Sequence, residues 1–324
     1  MPAQGESGNG RVTINEVGLR DGLQNHPRRL GVAEKLELYR ALRISGLHSF
    51  ELTSFVSPKA VPAMADAAEL VAALPPEEGV NLTALVPNRR GYARAREAGM
   101  RGIAVVLAAT ETLNQRNIGM SLDRAREECA AVLRQAAADG VFARAYVAAA
   151  CACPYEGPTS PDTVIALAEE MLAAGADEVA IADTIGAGNP RQVATLFRSA
   201  VARCGAGCLS AHFHDTRALG VTLSWVALQE GIRKFDASIG GLGGCPFAPG
   251  ASGNLATEDL VFMLEESGYR TQVDLPALMA AASLAGRLLG GQVGGRITPW
   301  YESRHRSRNI ESNGTNQGQA RGGD

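Results

Sequence analysis

Ala174-Gly175-Ala176-Asp177-Glu178-Val179-Ala180-Ile181-Ala182-Asp183 is the stretch whose reading decides the fold. A small residue and a glycine close an apolar, helix-like segment, and a short run of strand-favouring residues begins soon after. Glycine just past a helix supplies the left-handed cap that ends it, so the pair reads as a join between a helix and the following strand. The same join recurs at Ser45-Gly46 before Phe50-Glu51-Leu52, at Ala98-Gly99 before Ile103 to Leu107, and at Glu230-Gly231 before Phe235-Asp236-Ala237. Repetition of one helix-to-strand join predicts a cyclic or open α/β fold.

Working outward, period and punctuation predict strands near Val12 to Val17, Ser49 to Thr53, Leu82 to Val86, Gly102 to Ala108, Arg144 to Ala149, Glu178 to Asp183, Leu209 to His214 and Lys234 to Ile239. Ser160-Pro161 and Asn189-Pro190 each place a capping side chain before a proline at the first helical position. Eight β/α units in 324 residues predict a closed parallel (β/α)8 TIM barrel of the α/β class. A doubly wound open sheet is the alternative, but no Gly-rich dinucleotide fingerprint follows the first strand, where the chain reads Gly18-Leu19-Arg20-Asp21-Gly22. The segment from Leu275 to Leu289 follows the eighth unit as a C-terminal helical extension, so residues 11–302 are expected to form the barrel domain with that extension. Residues 1–10 and 303–324 are polar and poor in apolar side chains, and are expected to be disordered tails.

The formal charge of −3 and pI near 6.0 give no global basic field, so neither nucleic acid nor a membrane surface is an expected partner. Apolar runs are strand-sized, the first residues lack a basic segment followed by an apolar one, and six cysteines in such a chain read as thiols in a reducing compartment. A cytoplasmic protein is the expectation.

In a barrel the chemistry sits at the C-terminal ends of the strands. The predicted strands bring Arg20 and Asp21 after strand one, Glu51 to the end of strand two, Asp183 to the end of strand six, and His212 and His214 to the end of strand seven, all on one rim. The two histidines are one residue apart on a strand, so both imidazoles share a face while Phe213 points to the other. An isolated His-x-His is most simply a hydrogen-bonded rim pair. Convergence with Asp21, and with the amide oxygen of Asn254 from the last loop, instead makes a set of two nitrogens and two oxygens with room for water or substrate. Such a set suits Mg²⁺ or Mn²⁺ better than a closed zinc site. The glycine-rich loop Gly240 to Asn254 carries two prolines and a single thiol, Cys245, and reads as a lid able to close over a substrate.

Glu16-Val17-Gly18-Leu19-Arg20-Asp21-Gly22-Leu23-Gln24-Asn25, Glu51-Leu52-Thr53-Ser54-Phe55-Val56-Ser57-Pro58, Cys153-Pro154-Tyr155-Glu156-Gly157, Asp183-Thr184-Ile185-Gly186, His212-Phe213-His214-Asp215-Thr216 and the Cys245 loop together resemble 3-hydroxy-3-methylglutaryl-CoA lyases, within a wider superfamily of metal-dependent barrel lyases and synthases. The resemblance runs from about Val12 to Gly268 and more weakly to Pro299. It implies that Asp21, His212, His214 and Asn254 hold the divalent cation, and that Arg20, Glu51, Asp183 and Cys245 surround the reacting carbons. Gln24, Tyr146 and Thr184, with Arg20, are the candidate substrate-binding residues. The implied activity is cleavage of 3-hydroxy-3-methylglutaryl-CoA, or a close 3-hydroxyacyl-CoA analogue, to acetyl-CoA and a keto acid, by a homodimer whose small-molecule partner is the acyl-CoA and which needs no organic cofactor. Arg20 would stabilise the developing enolate, Cys245 would protonate the departing carbon, and the base is Asp21, Glu51, Asp183 or a metal-bound water.

Related bacterial lyases continue the His-Asp-Thr segment with Arg-Gly and later Ala-Asn, whereas this chain has Arg217-Ala218 and Thr222-Leu223-Ser224-Trp225, which bears on the packing behind strand seven or the pocket shape. A related aldolase or Claisen-type condensing enzyme and a non-catalytic metal- or CoA-binding paralogue are the rival readings. The Cys245 loop counts against the first, and retention of every proposed ligand against the second.

Overall fold

The computed structural model describes residues 10–75, 77–244, 253–291 and 293–304. All eight predicted strands form, each end within two residues of its expected place: β1 (Thr13–Glu16), β2 (Ser49–Ser54), β3 (Asn81–Leu85), β4 (Gly102–Ala108), β5 (Phe142–Ala148), β6 (Glu178–Asp183), β7 (Leu209–Phe213) and β8 (Lys234–Ala237). They pair in parallel and in sequence order, and β8 returns to β1 to close the barrel. Between them run α1 (Val32–Ile44), α2 (Ala67–Ala72), α3 (Arg89–Glu97), α4 (Glu111–Ile118), α5 (Leu122–Ala138), α6 (Pro161–Ala173), α7 (Pro190–Cys204) and α8 (Gly220–Gln229), followed by α9 (Thr257–Glu266) and the predicted α10 (Leu275–Leu289).

The joins behave as their sequence requires. Gly46, Gly99, Gly175 and Gly231 all have positive φ, between +94° and +109°. Asn189 caps α7 by accepting from the Gln192 N–H at 3.0 Å, whereas Ser160 makes no side-chain cap to α6. A short hairpin, Ala152–Cys153 against Gly157–Pro158, follows β5 and was not expected. Because β5 ends at Ala148 and Ala149 turns to φ +57°, Cys151 and Cys153 do not share a strand face.

The strands have two distinct faces. Outward side chains such as Phe50, Leu52, Val147, Ile181 and Phe213 are buried against Leu38, Tyr39, Val132, Leu133 and Phe197 of the helices. The Phe213 and Phe197 rings lie 6.0 Å apart, so Phe213 points away from its two histidine neighbours, as the alternation demands. The interior holds a smaller apolar cluster of Leu85, Ala104, Tyr146 and Ala180, and below it a set of paired charges. After α10, which packs on α1, the chain returns to the rim at the C-terminal ends of the strands. Glu258 accepts from the N–H groups of Gly240 and Gly295, and Asp259 from those of Arg296 and Ile297, which fixes the C-terminal segment to the start of the glycine loop. Among the described residues no helix is long and apolar enough to cross a membrane. The proposed tails fall almost wholly outside the described residues.

A matched pair of substitutions tests the joins. Gly99→Ala meets open space and should lose roughly 1–2 kcal/mol for positive φ alone. At Gly46 an added Cβ would also collide with the backbone oxygen of Gln272, so Gly46→Ala should lose about 1–3 kcal/mol more, read from urea unfolding curves. Equal losses would show that the Gln272 backbone moves aside freely.

Candidate metal centre and substrate cavity

β1 runs directly into a one-turn π-helix, Gly18–Gly22, in which the Val17 carbonyl accepts from the N–H groups of Arg20, Asp21 and Gly22. Such turns are rare and are frequently found at functional sites. Glu16 holds this one from beneath: its carboxylate accepts from Gly18 N (2.7 Å), Ile239 N (2.9 Å) and the Thr257 hydroxyl (2.6 Å). Burial pushes Glu16 up to about 7 despite those donors.

The turn delivers Arg20 and Asp21 into the mouth of the barrel. Arg20 Nε donates to Glu51 Oε2 at 2.6 Å, Nη1 pairs with Asp21, and the guanidinium lies 6.0 Å from the Tyr146 ring centre. Burial alone would weaken that cation, but Glu51 and Asp21 carry its pKa far above the ordinary value. The β2–β3 register slips between Glu51 and Thr53, a bulge that locally re-aims the end of β2 beside Arg20. Burial raises the Glu51 carboxyl, opposed by Arg20, and its Oε1 has no hydrogen-bond partner among the described residues.

Asp21, His212 and His214 offer one ligand atom each within 4.8 Å of one another. His212 Nδ1 faces Asp236 Oδ2 at 3.0 Å and His214 Nδ1 faces the Asp183 carbonyl at 3.2 Å, leaving both Nε2 atoms for a metal. Burial, then the neighbouring His212, push His214 down to about 4, so it is neutral near pH 7, as a ligand must be. For Asp21, burial acts upward, but Arg20, the two histidines and Asn254 outweigh it and bring it to about 2. Asn254 Nδ2 donates to Asp21 Oδ2 (2.7 Å) and to the Leu242 carbonyl (3.1 Å), which fixes the orientation of the amide. Its Oδ1 is buried with no hydrogen-bond partner among the described residues. A buried oxygen left without a donor among the described residues, on an amide bonded to Asp21, fits a cation held by Asp21 and the two imidazoles.

A cavity of about 210 Å³ opens above this set. Arg20, Asp21, His212 and His214 line it, as do the proposed substrate-binding residues Gln24, Tyr146 and Thr184. Glu51 and Asp183 do not: Glu51 lies behind Arg20, and the Asp183 carboxylate accepts from the N–H groups of Ala187 and Gly188 in the loop after β6. Asn25, Asn117 and an apolar wall of Val56, Val61, Leu85, Val106 and Ile118, none of them expected from the sequence, also line it. Val56 and Asn25 lie inside motifs that drew attention for other residues, whereas Asn117 and Ile118 come from α4, which carries no motif. Leu223 is fully buried in α8, and Trp225 packs edge-on against Tyr269, so neither reaches the cavity wall. The Arg217-Ala218 departure acts on the backbone, where Ala218 takes φ +57°. Cys245 lies outside the described residues. The described cysteines are unpaired, and burial pushes the Cys151 thiol up.

The HMGL-like family model matches residues 11–285. The hydroxymethylglutaryl-CoA lyase of Pseudomonas mevalonii is 42% identical over 297 residues, covering 92% of this chain and 95% of the relative. A Pseudomonas aeruginosa protein described as a 3-hydroxy-3-isohexenylglutaryl-CoA/hydroxymethylglutaryl-CoA lyase is 40% identical, covering 88% of this chain and 95% of its own length. The crystal structure of the Bacillus subtilis HMG-CoA lyase superposes with a TM-score of 0.88 at 41% identity, covering 90% of this chain and 98% of that one.

The neutrality of His214 has a consequence for stability. Its folded pKa lies below the ordinary histidine value, so between about 6.5 and 4 the unfolded chain binds the extra proton and the folded chain does not. Metal-stripped protein should therefore lose stability as pH falls through that window, and His214→Gln should flatten the slope of urea midpoint against pH. An unchanged slope would place His214 in a far wetter setting.

Proposed function

The chain belongs to the HMGL-like family, and from that premise we propose that it is a metal-dependent carbon–carbon lyase that cleaves 3-hydroxy-3-methylglutaryl-CoA to acetyl-CoA and acetoacetate. The observation that carries this reading is the meeting of Arg20, Asp21, His212 and His214 on one cavity, with Asn254 bonded to Asp21 and its buried Oδ1 lacking a donor among the described residues. Asp21, His212, His214 and Asn254 would hold Mg²⁺ or Mn²⁺, which when bound supplies Lewis acidity at the substrate hydroxyl.

The reaction removes the hydroxyl proton, forms a carbonyl on the third carbon, breaks the bond to the second, and leaves the electron pair on the thioester as an enolate. Arg20, pinned between two carboxylates, is preorganised to donate to the thioester oxygen as that charge grows. We take Asp21 as the base, because it lines the cavity where Glu51 and Asp183 do not. Glu51 acts by holding Arg20, and Asp183 by shaping the loop after β6 and supporting His214 through its carbonyl. Gln24, Tyr146 and Thr184 orient the substrate, and the apolar wall excludes water. The Cys245 thiol returns a proton to the second carbon of the enolate, completing acetyl-CoA. We further place the enzyme in the cytoplasm as a homodimer. The unpaired state of the described cysteines is in keeping with a reducing compartment.

The apolar wall also favours a second substrate, one with a longer branch on the third carbon, as the name of the Pseudomonas aeruginosa relative describes. Assaying acetyl-CoA release from 3-hydroxy-3-methylglutaryl-CoA and from its isohexenyl analogue tests the reading, and no release from either would end it. Chelation should abolish turnover while circular dichroism stays unchanged, because the ligands sit at the barrel mouth. Arg20→Gln should keep Mn²⁺ binding and lower kcat by at least ~10²–10³. A rise in KM at constant kcat would make Arg20 a binding residue only. Cys245→Ser should bind metal and substrate yet lose most of kcat, since a hydroxyl is a far weaker acid than a thiol. Retained turnover would remove Cys245 from the chemistry.

A further inference from the structure

Beneath the metal centre four neighbouring strands carry a belt of polar side chains in register. Ser49 of β2 is the register partner of Asn15 on β1, Asn15 of Asp236 on β8, and Asp236 of His212 on β7. The Ser49 hydroxyl donates to Asn15 Oδ1 at 3.0 Å, Asn15 Nδ2 donates to Asp236 Oδ1 at 3.1 Å, and Asp236 Oδ2 stands 3.0 Å from His212 Nδ1. Arg144, from β5 across the barrel, donates through Nη2 to the same Asp236 Oδ1 at 2.6 Å. Beyond the contact of Asp236 with His212, nothing in the chemistry above uses Asp236, Asn15 or Arg144.

We propose that Asp236 is a positioning residue that holds His212 as the Nδ1–H tautomer with Nε2 free for the metal, and that Arg144 and Asn15 dictate which of its oxygens faces the histidine. The proposal rests on the metal site already described. An aspartate paired with a permanently charged guanidinium can only accept, so the nitrogen facing it must carry the hydrogen. Asp236 Oδ1 receives Asn15 and Arg144, and Arg144, held in place by Glu178, Ser210 and Tyr146, can only donate. That atom must therefore be an oxygen. The adjoining Oδ2 is then the one place where an amide nitrogen could enter the belt.

This gives an isosteric probe with an uncommon signature. In Asp236→Asn the amide oxygen takes the Oδ1 position against Arg144 and Asn15, and the amide nitrogen faces His212 Nδ1. The imidazole must then accept at Nδ1 and carry its hydrogen on Nε2, where the metal should bind. Asp236→Ala imposes no tautomer, although it removes more packing and leaves Arg144 with fewer partners. A tautomer role predicts that Asn is the worse substitution for metal binding, whereas a merely structural role predicts Ala.

The test uses full-length protein labelled with ¹⁵N-histidine, with long-range ¹H–¹⁵N spectra assigned by His212→Gln, alongside Mn²⁺ titration by calorimetry. Wild-type, metal-free His212 should be the Nδ1–H tautomer. Asp236→Asn should show Nε2–H and bind Mn²⁺ ~10–100-fold more weakly, with Asp236→Ala between the two. An Nε2–H signal in the wild type, wild-type Mn²⁺ affinity in Asp236→Asn, or a greater loss in Asp236→Ala would each overturn the proposal. The wild-type spectrum decides the matter even if a variant does not fold. Failure of the wild type to bind Mn²⁺ would instead refute the metal reading, independently of the tautomer.

Discussion

Two arginines buried inside a closed barrel must each be met by carboxylates, and that constraint organises everything at the site. Arg20 is held by Asp21 and Glu51, and Arg144 by Glu178 and Asp236. Removing one partner from a buried pair typically costs about 3–5 kcal/mol, because the remaining charge is left unpaired in a poorly solvated interior. The pairs are linked through Tyr146, whose hydroxyl accepts from Arg144 and donates to Glu51. The interior is therefore one electrostatic unit running from the middle of the barrel to its mouth. Two of the proposed metal ligands hang from it directly: Asp21 on Arg20, and His212 on Asp236.

The outer parts of the molecule hold that unit still. Apolar outward faces of the strands fix the barrel against its helices, so the inward residues are placed by parity alone. The return from α10 then ties Gly240, where the glycine loop begins, to Glu258, and the segment beyond α10 to Asp259. Glu16 ties the π-helical turn, the Ile239 backbone and Thr257 together. The first and last loops of the barrel thus share supports, and Asn254 completes the link by donating to Asp21.

The order of the elements and most of the site were legible in the sequence because they depend on local rules. Glycines with positive φ ended helices where the pattern placed them, alternation put both histidines on one face and Phe213 on the other, and motif positions at strand ends gathered Arg20, Asp21 and His214 on one rim. The short hairpin after β5 escaped because two-residue strands carry no period to read. Glu51 and Asp183 were expected beside the substrate, yet each is turned to a protein partner. Strand-end position says which rim a residue occupies but not how deep its side chain lies.

The sequence by itself determined the closed α/β barrel, the inward pair His212 and His214, and the nearness of Arg20 and Asp21 to them, since each follows from strand parity and helix punctuation over a few residues. Folding in three dimensions was needed to leave the Asn254 oxygen without a donor among the described residues, to set Arg20 between two carboxylates, and to stand Asp236 behind His212. Those are relations between strands far apart in the chain, such as Asn15 and Asp236, that become neighbours only when β8 closes on β1. Barrel closure sets their register, and no local pattern in either segment contains it.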